Sequence, residues 1–159
     1  MKAKSPFSDK KMSFFQGKKL LNQKGELVDA GEAVKGKVIA VYFSAHWCPP
    51  CRQFTPILKD FYEELGGEEG DLVIIFVSSD RDEAPMKDYF NNHHGDYLAV
   101  PFRDDALKNA LKAEAGVTGI PCLAIFNEEG KLLRKDGRSD VAACKGGPKS
   151  VLTSWKMLK

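Results

Sequence analysis

The chain has 159 residues, 43% of them hydrophobic, and a formal net charge of only +2. That length and apolar content suit one ordinary domain that needs no staple to hold its core. The scattered charge argues against a nucleic-acid stripe or an acidic-membrane patch, and no apolar run approaches the roughly 18–20 residues of a membrane span.

Residues 1–17 are polar and are expected to be a flexible N-terminal segment, with a single domain over 18–159. The basic start from Met1 to Lys10 lacks the apolar stretch of a signal peptide. Four cysteines in this length do not make a disulfide scaffold. Both features point to a reducing compartment, the cytoplasm or the nucleus. Lys19-Leu20-Leu21 and Glu26-Leu27-Val28, joined by Asn22-Gln23-Lys24-Gly25, predict an N-terminal β-hairpin. Residues 37–44 and 72–77 are apolar throughout and predict strands covered on both faces.

Between them a helix starts near Pro49, with Phe54, Ile57, Leu58, Phe61, Tyr62 and Leu65 on one face. Pro56 should kink it and Gly66-Gly67 should stop it. Asp80 to Asp82 lead into a short helix near Glu83 or Pro85, and Asp104-Asp105 cap another that ends at Gly116. Pro121 to Phe126 predicts a third apolar strand, turned at Gly130 into an antiparallel edge strand over 131–134. A last helix is expected from about Lys149. The order implies an α/β fold: a mixed central sheet with helices on both faces.

The chemistry lies in Trp47-Cys48-Pro49-Pro50-Cys51, at the junction of the first long strand and its helix. Residues i and i+3 of a helix share a face, their Cβ atoms roughly 5–6 Å apart, which suits a reversible disulfide. Cys48, at the positive end of the helix dipole, is the expected nucleophile; Cys51, one turn in, is the expected resolving thiol. Pro49 and Pro50 carry no N–H, so Cys51 and Arg52 supply the nearest backbone donors. The thiolate should therefore be stabilised moderately, with a pKa nearer the ~7 of a reducing dithiol than the ~3.5 of a strong oxidant. Two other readings of the pair are a zinc half-site and two inert buried cysteines. A structural zinc needs four protein ligands, usually as a second paired motif, and His93, His94 and Cys144 lie in unrelated segments.

Tyr42 to Arg52, followed by Phe54-Thr55-Pro56, resembles the nucleoredoxin and tryparedoxin branch of the thioredoxin superfamily. Ile75 to Asp80, Leu98 to Phe102, Gly119-Ile120-Pro121 and Gly137-Arg138 agree, so the resemblance spans about residues 18–140. It implies a thioredoxin-like fold and protein-disulfide reductase activity. It also implies that Pro121 is cis and faces the cysteines, and that Gly119 and Ile120 pair with an extended substrate segment.

Trp47 is then either an apolar platform for substrate or a core tryptophan. Asp80 is either a proton-transfer group or a cap or loop acid. Arg138 matches a tryparedoxin arginine linked to the glutathione-conjugate donor, or is a solvated edge-strand residue. Tyr42 stands where many thioredoxins bury an aspartate, and a phenol is a poor base at neutral pH, so it is expected to act as a hydrogen bonder. Cys122 replaces the usual threonine after the proline. It is either a small apolar substitute or a third thiol near the pair, open to alternative disulfides. His46 matches nucleoredoxin. Asp96-Tyr97 departs from the Pro-Trp of tryparedoxins, which weakens any link to their electron donor.

The expected function is a thiol–disulfide oxidoreductase, monomeric, acting on disulfide-containing proteins and reset by a dithiol electron donor, a reductase or glutathione-type thiol. It requires no metal and no organic cofactor, and has no nucleic-acid or membrane partner. The alternatives are a redox-regulated binding module with little turnover, and a metal-binding domain.

Overall fold

The computed structural model describes residues 14–158. Its sheet has seven strands in the order β2-β1-β5-β4-β3-β6-β7. The hairpin is β1 (Lys19–Leu21) and β2 (Leu27–Asp29), paired antiparallel. The central strands are β3 (Val38–Ser44) and β4 (Leu72–Ser78), parallel in register from Val38↔Leu72 to Ser44↔Ser78. A two-residue β5 (Leu98–Ala99) pairs with β4 and β1 and so ties the hairpin into the sheet. On the other side β6 (Cys122–Phe126) runs antiparallel to β3, and β7 (Leu132–Arg134) is the edge.

Alternation along these strands sorts the core into two layers. Ala40, Tyr42, Ile74, Phe76, Leu123 and Ile125 face one side. Helices α2 (Pro49–Glu64), α3 (Glu83–His93), α5 (Gly137–Ala143) and α6 (Pro148–Lys156) cover it. Ile39, Val41, Phe43, Val73, Ile75 and Val77 face the other, beneath α1 (Ala30–Val34) and α4 (Asp105–Ala115). This is the expected thioredoxin-like α/β fold.

Several expectations need correction. Residues 1–13 of the segment expected to be flexible lie outside the described residues, but Phe14 to Gly17 form a turn. Phe15 there is fully buried in the second layer, and Phe14 N–H donates to the Glu128 carbonyl (2.7 Å). Packing therefore begins ahead of Lys18.

Ile57 is 47% exposed. The buried stripe of α2 runs through Cys51, Thr55, Leu58 and Tyr62, which leaves Ile57 at its margin. The helix continues through Pro56 to Glu64. Asp104 caps α4 by accepting from Leu107 N–H (3.1 Å), whereas Asp82 occupies the same position on α3 without a side-chain cap. Helices α1 and α5, and strand β5, are too short for the periodicity of the sequence to reveal.

Candidate active site

Cys48 follows the buried carboxyl end of β3 and is the N-cap of α2. Strand β6 runs antiparallel to β3 and pairs Phe43 with Cys122, so its amino end lies beside β3's carboxyl end. This register brings the Ile120–Pro121 segment to the cysteines, and the Ile120–Pro121 peptide is cis. Cys48 and Cys51 form a disulfide with Cα atoms 5.2 Å apart. Cys48 Sγ lies 3.9 Å from the Ile120 carbonyl oxygen. Ala45, Cys48 and Cys51 make a small buried cluster with Ile120 against it.

The two sulfurs are not equivalent. Cys48 keeps 4% of its surface exposed and Cys51 none. Pro49 and Pro50, both exposed, occupy the first two helical positions and contribute no donor. Arg52 N–H is spent on the Cys48 carbonyl (3.0 Å), as in any helix. Cys51 N–H alone, among the described residues, points at Cys48 Sγ (3.3 Å). Arg52, expected from the sequence as a second backbone donor, therefore contributes none to the sulfur.

Asp80 is buried and holds the loop, with both carboxylate oxygens engaged. Oδ1 accepts from His46 N–H (2.9 Å), and Oδ2 accepts from the Ser78 hydroxyl (2.8 Å). Asp80 N–H donates back to Ser78 Oγ (2.9 Å). It is neither a helix cap nor a solvated acid. Its contacts tie the end of β4 to the segment just before Cys48. Trp47 is 60% exposed, with its indole N–H donating to the Ser79 carbonyl (3.4 Å), so it lies on the surface and not in the core.

Beneath Cys51 lies a polar chain that the sequence did not reveal. Thr55 Oγ1 donates to the Cys51 carbonyl (2.9 Å), and the Tyr42 hydroxyl also reaches that carbonyl (3.2 Å). Thr55 Oγ1 is 2.8 Å from the Tyr42 hydroxyl and 2.6 Å from the Tyr89 hydroxyl, which meets Ser44 Oγ at 2.7 Å. One proton order satisfies all four groups: Ser44 donates to Tyr89, Tyr89 and Tyr42 to Thr55, and Thr55 to the Cys51 carbonyl. Burial, then the neighbouring Tyr89, holds the Tyr42 phenol well above its ordinary range. It stays neutral and hydrogen-bonds, as expected.

His94 closes the box, its ring 4.3 Å from those of Phe76 and Tyr89. Its Nδ1 meets the Tyr97 hydroxyl at 2.6 Å, and its Nε2 has no partner among the described residues. Burial, with a smaller contribution from His93, pushes its pKa down to about 3. The spacing of Met86, Tyr89 and Phe90, as i, i+3 and i+4 on α3, was the available signal for this layer.

The structure separates the readings of two further candidates, Arg138 and Cys122. Arg138 is exposed in the first turn of α5, not on the edge strand. It follows Gly137, which packs against the Leu123 carbonyl just past Pro121. Cys122 is a free thiol whose side chain packs with the α1/α4 layer, on the opposite side of the sheet from α2. Burial raises its pKa. It belongs to a different cluster from Cys48 and Cys51, which favours the small apolar substitute over the third reactive thiol.

Residues 36–132 match the family model described as Thioredoxin-like. Mouse nucleoredoxin is 38% identical over 122 residues, covering 77% of this chain and 27% of the relative, so the chain spans about a quarter of that protein's length. Tryparedoxin from Trypanosoma brucei brucei is 37% identical over 123 residues, covering 77% of this chain and 82% of the relative. The crystal structure of thioredoxin from Wuchereria bancrofti superposes with a TM-score of 0.77 at 40% identity, covering 90% of this chain and 96% of that one. With the Cys-x-x-Cys disulfide at the start of α2 beside the Ile120–Pro121 segment, these likenesses place the chain in the thioredoxin-like family, with nucleoredoxin and tryparedoxin among its relatives.

Proposed function

We propose that the chain reduces protein disulfides through a dithiol–disulfide cycle of Cys48 and Cys51. The observation that carries this reading is the asymmetry of the pair. Cys48 keeps some exposure, receives the Cys51 N–H and lies against the Ile120 carbonyl beside exposed Trp47, while Cys51 is sealed.

In the dithiol state the Cys48 thiolate attacks one sulfur of a substrate disulfide. The substrate S–S bond breaks, its second sulfur leaves as a thiolate and takes up a proton, and a mixed disulfide remains. Cys51, deprotonated, then attacks Cys48 Sγ. The first substrate sulfur leaves as a thiolate and is protonated, and Cys48–Cys51 is left oxidised. Two electrons have passed from the pair to the substrate. A dithiol donor, a reductase or a glutathione-type thiol, returns them. The cycle uses no metal and no organic cofactor.

An extended substrate segment would pair with the backbone at Gly119 and Ile120 and rest an apolar side chain on Trp47. Arg138 is exposed and available to a carboxylate on the donor. Asp80 acts here as a positioning residue for the loop. The chain would work as a monomer in the cytoplasm or nucleus. Among the described residues no helix is long and apolar enough to cross a membrane.

The test is a Cys51→Ser trap. Reduced itself and then incubated with cell extract whose protein thiols have been oxidised, it should accumulate mixed disulfides on Cys48 that dithiothreitol releases, while the unmutated chain turns over insulin. A Cys48→Ser variant that keeps the same partners, alongside negligible insulin turnover by the unmutated chain, would replace this reading with a redox-regulated binding module.

A further inference from the structure

His46 and His93 are far apart in the chain, and the fold brings them together with Asp88. His46 Nε2 is 3.4 Å from Asp88 Oδ2. One ligand atom from each of His46, Asp88 and His93 can be chosen so that all lie within 4.8 Å of one another. We propose that these three side chains form a binding site for a divalent cation of the zinc class, separate from the disulfide chemistry.

Two imidazole nitrogens and one carboxylate oxygen are a borderline donor set that suits Zn²⁺, and three protein ligands leave a fourth tetrahedral position for water. Ligands at about 2.0–2.2 Å from a tetrahedral ion lie about 3.3–3.6 Å from one another. The set therefore needs to contract by no more than about 1.5 Å, and Asp88 and His93 are exposed.

The surroundings are arranged as a ligand shell requires. Asn92 Nδ2 donates to Asp88 Oδ1 (2.7 Å), which leaves Oδ2 turned to His46. Such outer contacts orient the side chains that ligate a metal. The His46 backbone is pinned by its N–H to Asp80. The Tyr89 ring lies 5.4 Å from that of His46 and 5.8 Å from that of His93, a common floor under both imidazoles. His46 precedes Cys48 by two residues, so a bound ion would fasten the loop that carries the nucleophile to α3.

Isothermal titration with zinc chloride tests the site. The full chain is used with Cys48–Cys51 oxidised and with Cys122 and Cys144 alkylated, so that no thiol competes. One equivalent should bind saturably. His93→Gln and Asp88→Asn, each checked for unchanged circular dichroism, should each weaken binding by about tenfold or more. Absence of saturable binding, or a smaller loss in either variant, overturns the proposal and leaves an ordinary histidine–aspartate pair.

Discussion

At the scale of single residues, the nucleophile is defined by how few donors it receives. A helix N-cap normally accepts from the second or third helical N–H, and here the second belongs to Pro50 and does not exist. Among the described residues Cys51 N–H is left as the one backbone donor to the Cys48 sulfur. The reactivity of reduced Cys48 should therefore titrate with a midpoint below that of an ordinary thiol but well above that of a strong disulfide oxidant. Pro50→Ala restores an N–H one residue closer and should lower that midpoint by about one unit, the worth of one hydrogen bond to a charged group. The pH dependence of iodoacetamide alkylation measures both values, and an unchanged midpoint in the variant would remove the donor argument. Both prolines were legible in the sequence. That Arg52 N–H is consumed by the Cys48 carbonyl was not, because it depends on where the helix begins. Trp47 shows the same limit: its residue type allowed either surface or core, and only its place on the loop put it outside.

At the scale of elements, the site depends on how α5 meets β6. Gly137 opens α5, and a Cβ there would stand 2.8 Å from the Leu123 carbonyl oxygen and 3.2 Å from the Leu123 side chain. Both neighbours belong to β6, just past Pro121, so neither can yield without moving the strand. Gly137→Ala should cost about 1–3 kcal/mol of stability by urea denaturation, the usual cost of overpacking. It should also slow insulin reduction, through displacement of the Ile120–Pro121 segment. Stability and rate within experimental error of the unmutated chain would show that the contact relaxes freely. The same corner is tied down by Asp140. Arg134 grips it in two hydrogen bonds, Nε to Oδ2 at 2.6 Å and an NH₂ group to Oδ1 at 2.8 Å, and the Trp155 indole N–H also donates to Oδ2 (2.8 Å). Strand β7 and helices α5 and α6 are thereby joined. The sequence marked β7 and the last helix. It did not mark α5, seven residues long, whose single buried apolar side chain is Val141.

For the whole molecule, the aromatic layer under the active site sets a pH window of stability. His94 is held neutral, its pKa pushed down to about 3, whereas in the unfolded chain it titrates near ~6.5. Below that value the unfolded state binds the extra proton, so stability should fall as pH drops from about 6.5 towards 3, by up to about 1.4 kcal/mol per pH unit. At the alkaline end the signs reverse. Tyr42 and Tyr97 are raised well above their usual range and Tyr62 to about 12, all chiefly by burial. The unfolded state then loses protons first, and stability should fall above about pH 10. Urea midpoints between pH 4 and 7 check the acid limb, and a His94→Phe variant should flatten it. The same acid slope in that variant would assign the loss to carboxylates instead. The strands other than β5, the Cys-x-x-Cys helix and its placement at the end of β3 were determined by local signals: apolar runs, helical period, capping residues and i, i+3 spacing. These act between neighbours in the chain, so the sequence expresses them directly. The meeting of Ile120 with Cys48, the Ser44–Tyr89–Thr55–Tyr42 chain, the turning of Cys122 to the far layer and the union of His46 with Asp88 and His93 join residues distant in sequence. They follow from strand order and register, which only the packing of the complete sheet decides.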